Sequence, residues 1–265
     1  MAHELPEFKN ILVIHFGQLG DVVLALPALR AIRKRFRKAK ITVASGTSTA
    51  EIIRLANVAD EQIAVDRVKL RDGNKFTSIT EIGKIIKDVR RRKFDVVIDV
   101  NSLYETNLLG FVSGAKHRLY ANRENRSLDF LSKFPLKPPV EDKSKHHTDR
   151  YLVVLEALGI KNADRTIRIV PPEASLKKAG SLITKYGIAD KKLIGLFLGA
   201  GHPTRRWSIE NFSALAQRLS EDKKNQVLVF LGPEESDMRQ DVESAFGDAA
   251  IVVEELPLAA FVAML

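Results

Sequence analysis

The stretch "NILVIHFGQLGDVVLALPALR", residues 10–30, decides the fold of this chain. Its apolar, β-branched start predicts a buried strand that stops at Gly17. A second glycine follows at Gly20, and Asp21 begins an apolar segment with helical spacing. A strand, a glycine loop and a helix form the repeating unit of α/β proteins with parallel sheets, whose ligands bind beyond the carboxyl ends of the strands. Loop 17–21 is therefore the first candidate site.

The same alternation continues along the chain. Strands rich in Val and Ile are predicted at 10–16, 40–45, 61–66 and 94–100, with helices at 21–37, 48–57, 77–92 and 103–113. A basic, irregular segment over 116–145 then precedes an amphipathic helix at 148–160. Short β-branched runs between amphipathic helices predict a parallel sheet that is covered on both faces.

Two consecutive prolines, Pro171 and Pro172, interrupt the alternation and indicate a connector. Beyond them, strands are predicted at 193–198, 226–231 and 250–253, with helices at 208–220, at 234–246 and from Pro257 onward. We therefore predict an α/β domain over 1–170, a linker over 171–190 and a second, smaller α/β domain over 191–265.

The composition narrows the class of partner. Forty-two Lys and Arg residues against 33 Asp and Glu residues give a net charge of +9. This charge favours phosphorylated partners, namely nucleotides, nucleic acid or an anionic membrane face, and solubility alone is the alternative explanation. The absence of cysteine excludes disulfides and thiolate metal sites. No signal peptide or transmembrane segment is recognised near the N-terminus, and a cytoplasmic location is the default expectation.

The sequence allows two interpretations of Asp21. An aspartate in the first turn of a helix commonly caps unpaired N–H groups, which stabilises the helix by about 1 kcal/mol. The same carboxylate, placed on a ligand-binding loop, could instead take a proton from a hydroxyl nucleophile. Local sequence favours the capping role and leaves the catalytic role open.

The second domain carries its own candidate loop after the strand at 193–198. Groups that can cradle a diphosphate follow that strand: Gly199, Gly201, Thr204, Arg205 and Arg206. A solvated arginine pair is the alternative. Glu234 and Glu235 follow the next strand and could accept hydrogen bonds from a ribose or a base, or they could be ordinary first-turn residues of a helix.

Taken together, "ILVIHFGQLGDVVLALPALRAIRKRF" and "FLGAGHPTRRWSIENFSALAQRL" resemble the ADP-heptose:lipopolysaccharide heptosyltransferases of glycosyltransferase family 9. The resemblance implies a GT-B architecture of two Rossmann-like domains with parallel sheets, the second one truncated here. It also implies that the first domain binds the acceptor and the second the nucleotide sugar. The implied reaction is an inverting transfer of heptose from ADP-heptose to the inner core of lipopolysaccharide. No metal and no other cofactor are implied, and Asp21 would be the general base.

The resemblance also assigns binding residues. Arg205 matches a basic residue two positions before a tryptophan, Thr204 and Arg206 would support the same diphosphate, and Glu234 or Glu235 matches an acidic position near the nucleotide. The acceptor would lie on the loop of Gly17 and Gly20, with its phosphates on Arg118, Arg123 and Arg126. A solvated basic face is the alternative for these arginines. Glu105 stands where the family often has a basic residue, which argues against the usual mode of binding a phosphorylated core.

The family's D-[ST]-G-x-x-H loop has no match in this sequence. The alternative function is therefore a non-catalytic nucleotide- or glycan-binding remnant of the family. The basic run "RRRK" at 90–93 lacks interleaved aromatic residues, so no nucleic-acid partner is predicted. Basic side chains near the acceptor would provide peripheral contact with the inner membrane.

Overall fold

A computed structural model describes residues 6–124, 128–200, 202–253 and 256–265. It divides the chain into two compact units, Met1–Val170 and Pro171–Leu265. Among the described residues, no helix combines the length and the apolar character that crossing a bilayer requires.

The first unit is built around a five-stranded parallel sheet. Its strands are β1 (Asn10–His15), β2 (Lys40–Gly46), β3 (Glu61–Val65), β4 (Val96–Asp99) and β5 (His117–Tyr120). Its helices are α1 (Leu19–Arg35), α2 (Thr47–Ala56), α3 (Arg67–Asp72), α4 (Lys75–Arg91), α5 (Tyr104–Val112) and α6 (His147–Val154). The order across the sheet is β3-β2-β1-β4-β5, and the predicted α/β fold with parallel pairing is confirmed.

Strand β1 lies at the centre of this sheet. It pairs with β2 on one edge and with β4 on the other, and Ile11 and Ile14 are fully buried. A strand that is covered on both faces needs a continuous apolar sequence, which explains the unbroken apolar run at residues 11–14. The order reverses at β1, since β2 lies on one side and β4 on the other, and ligands bind at such switch points.

Two elements of the first unit escape the sequence pattern. Strand β5 lies in the segment predicted to be irregular. It has only four residues, and it is held by pairing with β4 and by an antiparallel bridge between Arg118 and Lys133, so the local sequence does not predict it. Helix α3 has six residues, too few for a helical period to be recognised.

The second unit contains a three-stranded parallel sheet in the order β6-β7-β8. Its strands are β6 (Lys192–Phe197), β7 (Asn225–Phe230) and β8 (Ile251–Val253). Its helices are α7 (Glu173–Lys185), α8 (Ile209–Ser220), α9 (Arg239–Phe246) and α10 (Leu258–Met264). A core of Val227, Val229, Phe246 and neighbouring apolar residues lies between this sheet and helices α8 and α9.

The predicted linker over 171–190 requires a correction, because helix α7 occupies most of it. Pro172 takes the N-cap position, where its missing N–H does no harm, and the helix runs on for 13 residues. Ala179 is buried, and Ile183 packs on a small cluster around Ile188. The prolines therefore start a packed helix of the second unit and do not mark an extended connector.

Candidate functional site

The loop after β1 is shaped by a close contact between Gly17 and Asp21. A Cβ atom at Gly17 would lie 2.5 Å from Cβ of Asp21 and 2.6 Å from Cε1 of His15. Both distances are far below van der Waals contact, so only glycine fits here. Gly20 differs, since a Cβ there would meet no atom within 4 Å.

The carboxylate of Asp21 is half-buried and caps helix α1 from its third position. Its Oδ2 accepts a hydrogen bond of 3.0 Å from the backbone N–H of Gln18, the N-cap residue. Among the described residues, no group donates a hydrogen bond to Oδ1. The capping role is therefore visible, and it leaves one carboxylate oxygen available to a ligand.

His15 lies directly behind this loop and is completely buried. Burial lowers its pKa to about 4, against the opposing effect of the Asp21 charge, so the ring is neutral near pH 7. Nδ1 accepts from the N–H of Gly17 at 3.3 Å, which assigns the ring proton to Nε2. Nε2 has no partner among the described residues, and the ring packs edge-on against Tyr151 at a centroid distance of 5.2 Å.

Asp99 ends the neighbouring strand β4 and is a buried carboxyl that the sequence analysis did not single out. It is paired with Ile14 in the sheet, one residue before His15. Burial raises its pKa to about 6, although hydrogen bonds from the backbone N–H groups of Asn101 and Ser102 oppose the shift. Its one signal in the sequence is its place at the carboxyl end of the strand "VVID".

Arg123, a predicted acceptor residue, lies in the same neighbourhood as Asp21. Its charge acts on both His15 and Tyr151, and the charge of Asp21 acts on the same two side chains. The guanidinium is largely buried and binds Glu141 at 3.0 Å, and Arg150 binds the same carboxylate. Arg123 and Asp21 thus act electrostatically on the same two side chains, and a buried ion-pair cluster with Glu141 and Arg150 holds Arg123 in place.

Arg118 lies elsewhere. Its guanidinium donates to the carbonyl oxygens of Ala115 and Leu131 and lies over the ring of Phe111. Ala115 precedes β5, whereas Asp21 follows β1. Because the strands are parallel, Ala115 lies at their amino ends and Asp21 at their carboxyl ends. Arg126 lies outside the described residues.

A cavity of about 850 Å³ opens beside the Asp21 loop within the first unit. Gly17 and Gln18 line one side, and its walls are mostly apolar side chains of β3, α3, α4 and α5. Arg67 and Glu105 form an ion pair of 2.9 Å at this cavity. The negative charge of Glu105 is therefore matched by a nearby arginine.

In the second unit, the loops after β6 and β7 meet at Glu235. This side chain is 7% exposed, and its Oε2 accepts a hydrogen bond of 3.1 Å from the N–H of Gly232. A Cβ atom at Gly199 would lie 2.4 Å from Oε1 of Glu235. The carboxylate therefore fills the space that Gly199 leaves open and fastens the two loops together.

The predicted diphosphate residues divide into two groups. Arg206 lies 3.7 Å from Glu235 and donates to the carbonyl of Ala200, so it belongs to the fastened part of the loop. Thr204 contacts the ring of His202 at 2.8 Å, and Arg205 is exposed without a side-chain hydrogen bond or ion pair to any described residue. Gly201 and the side chain of Glu234 lie outside what the structure describes.

Within 6–124, 128–200, 202–253 and 256–265, no group of three His, Asp or Glu side chains is placed to hold a metal ion. Metal independence stays a prediction from the resemblance.

Comparison with known proteins places the chain in a family. The family model described as glycosyltransferase family 9 (heptosyltransferase) matches residues 82–265. A lipooligosaccharide heptosyltransferase 2 from Campylobacter jejuni is 24% identical over 242 residues, which are 90% of this chain and 65% of that protein. The chain therefore spans less than two thirds of the length of the curated relatives that it matches.

Two solved structures share the fold. The glycosyl transferase family 9 protein from Veillonella parvula is 26% identical, with a TM-score of 0.81 over all of this chain and 75% of that one. E. coli heptosyltransferase WaaC, solved with ADP-2-deoxy-2-fluoro heptose, is 18% identical, with a TM-score of 0.73 over 96% of this chain and 79% of that one. These likenesses confirm the predicted α/β fold class of GT-B type. Since the family model matches more than half of its residues, the chain belongs to glycosyltransferase family 9.

Proposed function

We propose that this protein transfers a heptose from ADP-heptose to an inner-core sugar of lipopolysaccharide, with inversion at the anomeric carbon. One observation carries the proposal: Asp21 lies on the loop after the central strand and keeps one carboxylate oxygen available, in a chain of this family. A cavity of about 850 Å³, lined on one side by Gly17 and Gln18 of the same loop, adjoins it and gives room for an acceptor.

Asp21 is the proposed general base. Oδ1 takes the proton of the acceptor hydroxyl while the hydroxyl oxygen attacks the anomeric carbon, and the bond from that carbon to the diphosphate breaks. ADP leaves with the electron pair of the broken bond. Oδ2 stays bonded to the N–H of Gln18, which holds the carboxylate in one orientation during the transfer.

His15 and Arg123 support this base. Neutral His15 adds no positive charge next to Asp21, and its packing on Tyr151 fixes the wall behind the loop. Arg123 is held by Glu141 and contributes positive charge that favours an acidic acceptor. In this proposal the acceptor occupies the cavity of the first unit.

The donor is proposed to bind the second unit. Arg205 has no partner among the described residues, so its guanidinium is available to the diphosphate, and Thr204 adds a hydroxyl. Negative charge builds up on the diphosphate as the bond to the sugar breaks, and a cation there stabilises the transition state. Glu235 is too deeply buried for a large contact with the donor, and we assign it the positioning of the two loops.

Calorimetric titration of the 265-residue chain with ADP and with ADP-heptose tests this assignment. We expect binding that Arg205→Ala weakens about tenfold or more, because a charge-assisted hydrogen bond contributes about 1.5–3 kcal/mol. Arg218→Ala is the matched control, since Arg218 is also an exposed arginine of the second unit but lies in the last turn of α8.

The outcomes separate the two functions. Absence of ADP binding in a folded sample would contradict the proposal. Binding of ADP and of the acceptor without any transfer would support the alternative, a non-catalytic nucleotide- or glycan-binding protein.

A further inference from the structure

The segment from Arg67 to Arg92, which contains α3 and α4, has an unusual charge. It holds nine Lys and Arg residues and three Asp and Glu residues, a net charge of +6. The whole chain has a net charge of +9, so about a tenth of its residues carry most of the excess. A cluster of this density attracts phosphate-bearing surfaces.

The same segment exposes large apolar side chains. Phe76 is 80% exposed, Ile79 65% and Val68 63%, whereas Val89 at the other end of α4 is fully buried. Helix α4 is thus anchored through its C-terminal half, and its N-terminal half exposes the apolar side chains of Phe76 and Ile79 to solvent. A concentration of exposed apolar side chains marks a surface that binds a partner or a membrane.

The basic and acidic residues of α4 lie on different sides of the helix. At about 100° per residue, Lys87 and Arg90 lie on the side of the helix that carries Phe76 and Ile79. Both basic side chains are exposed, and neither has an ion-pair partner among the described residues. Lys75, next to Phe76, is exposed and unpaired in the same sense.

The acidic residues lie on the opposite side of the helix. The carboxylate of Glu81 binds Lys84, and that of Asp88 binds Arg91 and Arg92. No carboxylate of α4 therefore neutralises the side that exposes Phe76 and Ile79.

We propose that this face docks on an anionic lipid bilayer. The α3–α4 surface, as we name it, consists of Val68, Lys75, Phe76, Ile79, Lys87 and Arg90. Its apolar side chains enter the interfacial region and its cations bind lipid phosphates, the arrangement of an amphipathic helix lying on a membrane. The inference deepens the proposed function and rests on it in one respect, namely that the acceptor is anchored in a membrane.

The position of the α3–α4 surface favours a lipid partner over a protein. Val68 and Ile82, one turn after Ile79, line the cavity that also reaches Gly17 of the Asp21 loop. A bilayer at this face would therefore adjoin the proposed acceptor cavity. Unpaired basic side chains beside apolar side chains match an anionic lipid surface. A protein partner would instead need a carboxylate opposite each basic side chain.

Co-sedimentation of the 265-residue chain with vesicles tests the proposal. We expect binding to vesicles of phosphatidylglycerol and phosphatidylethanolamine, weaker binding at high salt, and little binding to phosphatidylcholine alone. Phe76→Ser should lower the partition coefficient roughly tenfold. Phe130→Ser is the matched control, because Phe130 is 77% exposed in the same unit and lies outside the α3–α4 surface.

A second pair of variants tests the charges. Lys87→Glu should lower the partition coefficient at least about fivefold, whereas Lys143→Glu, at another exposed lysine of the first unit, should change it by the nonspecific effect of net charge alone.

Three results would overturn the inference: no binding to the anionic vesicles, equal effects of Phe76→Ser and Phe130→Ser, or self-association of the chain that Phe76→Ser abolishes without any vesicle binding. ADP titration of the same samples keeps the two proposals apart, since bound ADP without vesicle binding contradicts only this one.

Discussion

The two candidate loops use the same device with different partners. In the first unit, Gly17 makes room for the carboxylate of Asp21, four residues later in the chain. In the second unit, Gly199 makes room for the carboxylate of Glu235, which comes from the loop after the next strand. In both loops, a glycine after a strand thus accommodates a carboxylate. The carboxylate belongs to the same loop in the first unit and to the loop after the next strand in the second.

The difference separates a reactive group from a structural one. Asp21 is held through one oxygen by the N–H of Gln18, and its other oxygen is not engaged by a described residue. Glu235 is nearly buried and is held by Gly232 and by Arg206. A carboxylate that must exchange a proton keeps an accessible oxygen, whereas one that joins two loops is enclosed.

The largest expected effect comes from removing the reactive group. Asp21→Asn keeps an oxygen that can accept from the N–H of Gln18 but cannot take a proton, so we expect the rate of heptose transfer to fall about 10²- to 10⁴-fold. The free energy of unfolding should change by less than about 1 kcal/mol, because the cap is retained. Transfer assays and urea unfolding measure the two quantities, and full activity of the variant would refute the role of Asp21.

A smaller effect concerns the buried titratable groups behind the first loop. The raised pKa of Asp99, about 6 against 3.8, means that its contribution to stability is fully present below pH 4 and lost as the pH rises through 6. His15 acts oppositely: its contribution is present above its ordinary pKa of 6.5 and is lost as the pH falls through 4. The two contributions partly cancel in the native protein.

Asp99→Asn should expose the contribution of His15. We expect the stability of the native protein relative to this variant to rise by about 3 kcal/mol as the pH is lowered from above 6 to below 4. Urea unfolding followed by circular dichroism at several pH values measures this difference. Fluorescence of Trp207, the one tryptophan of the chain, reports the second unit and serves as the internal control. A difference that does not vary with pH would contradict the role given to Asp99.

The smallest effects compare the two glycines directly. Gly17→Ala and Gly199→Ala should each destabilise their unit by about 1–3 kcal/mol, because the new methyl group overlaps a packed side chain. Gly20→Ala, with open space at its Cβ, should stabilise α1 by up to about 1 kcal/mol.

Double variants distinguish the two contacts. Glu235→Ala should relieve the cost of Gly199→Ala, since the overlap there is with the carboxylate. Asp21→Ala should not relieve the cost of Gly17→Ala, because the Cβ of residue 21 and the ring of His15 remain in place. Additive free energies of unfolding for the Gly199 and Glu235 pair would show that the contact between the loops does not carry the effect.

The sequence predicts those features whose interacting residues lie close together along the chain. The strands and most helices of both sheets, and the importance of Asp21, rest on local patterns and glycine spacing. The sequence pattern does not predict helix α7, because two consecutive prolines indicate a break, although a proline at the N-cap is compatible with a helix.

The surroundings of the site residues depend on partners that are distant in the sequence. Burial of Asp99 requires the packing of β4 against β1, and the Arg123 guanidinium is positioned by Glu141, 18 residues away. Glu235 follows from a local pattern, but its contact with Gly199 exists only when β6 and β7 are paired. No periodicity of one segment encodes such contacts.

The central place of β1 also has a consequence for the order in which the protein folds during synthesis. One edge of β1 can pair as soon as β2 has left the ribosome, but the other edge must wait for β4, about 85 residues later in the chain. Asp95 then binds the backbone N–H groups of Lys9 and Asn10, both at 2.8 Å, and closes the amino end of the pair. Because contacts of long sequence separation form slowly, the nascent chain carries an apolar, unpaired strand edge for much of its synthesis. Aggregation of the nascent first unit should therefore respond to chaperone supply more than that of the second, whose neighbouring strands are consecutive in the chain.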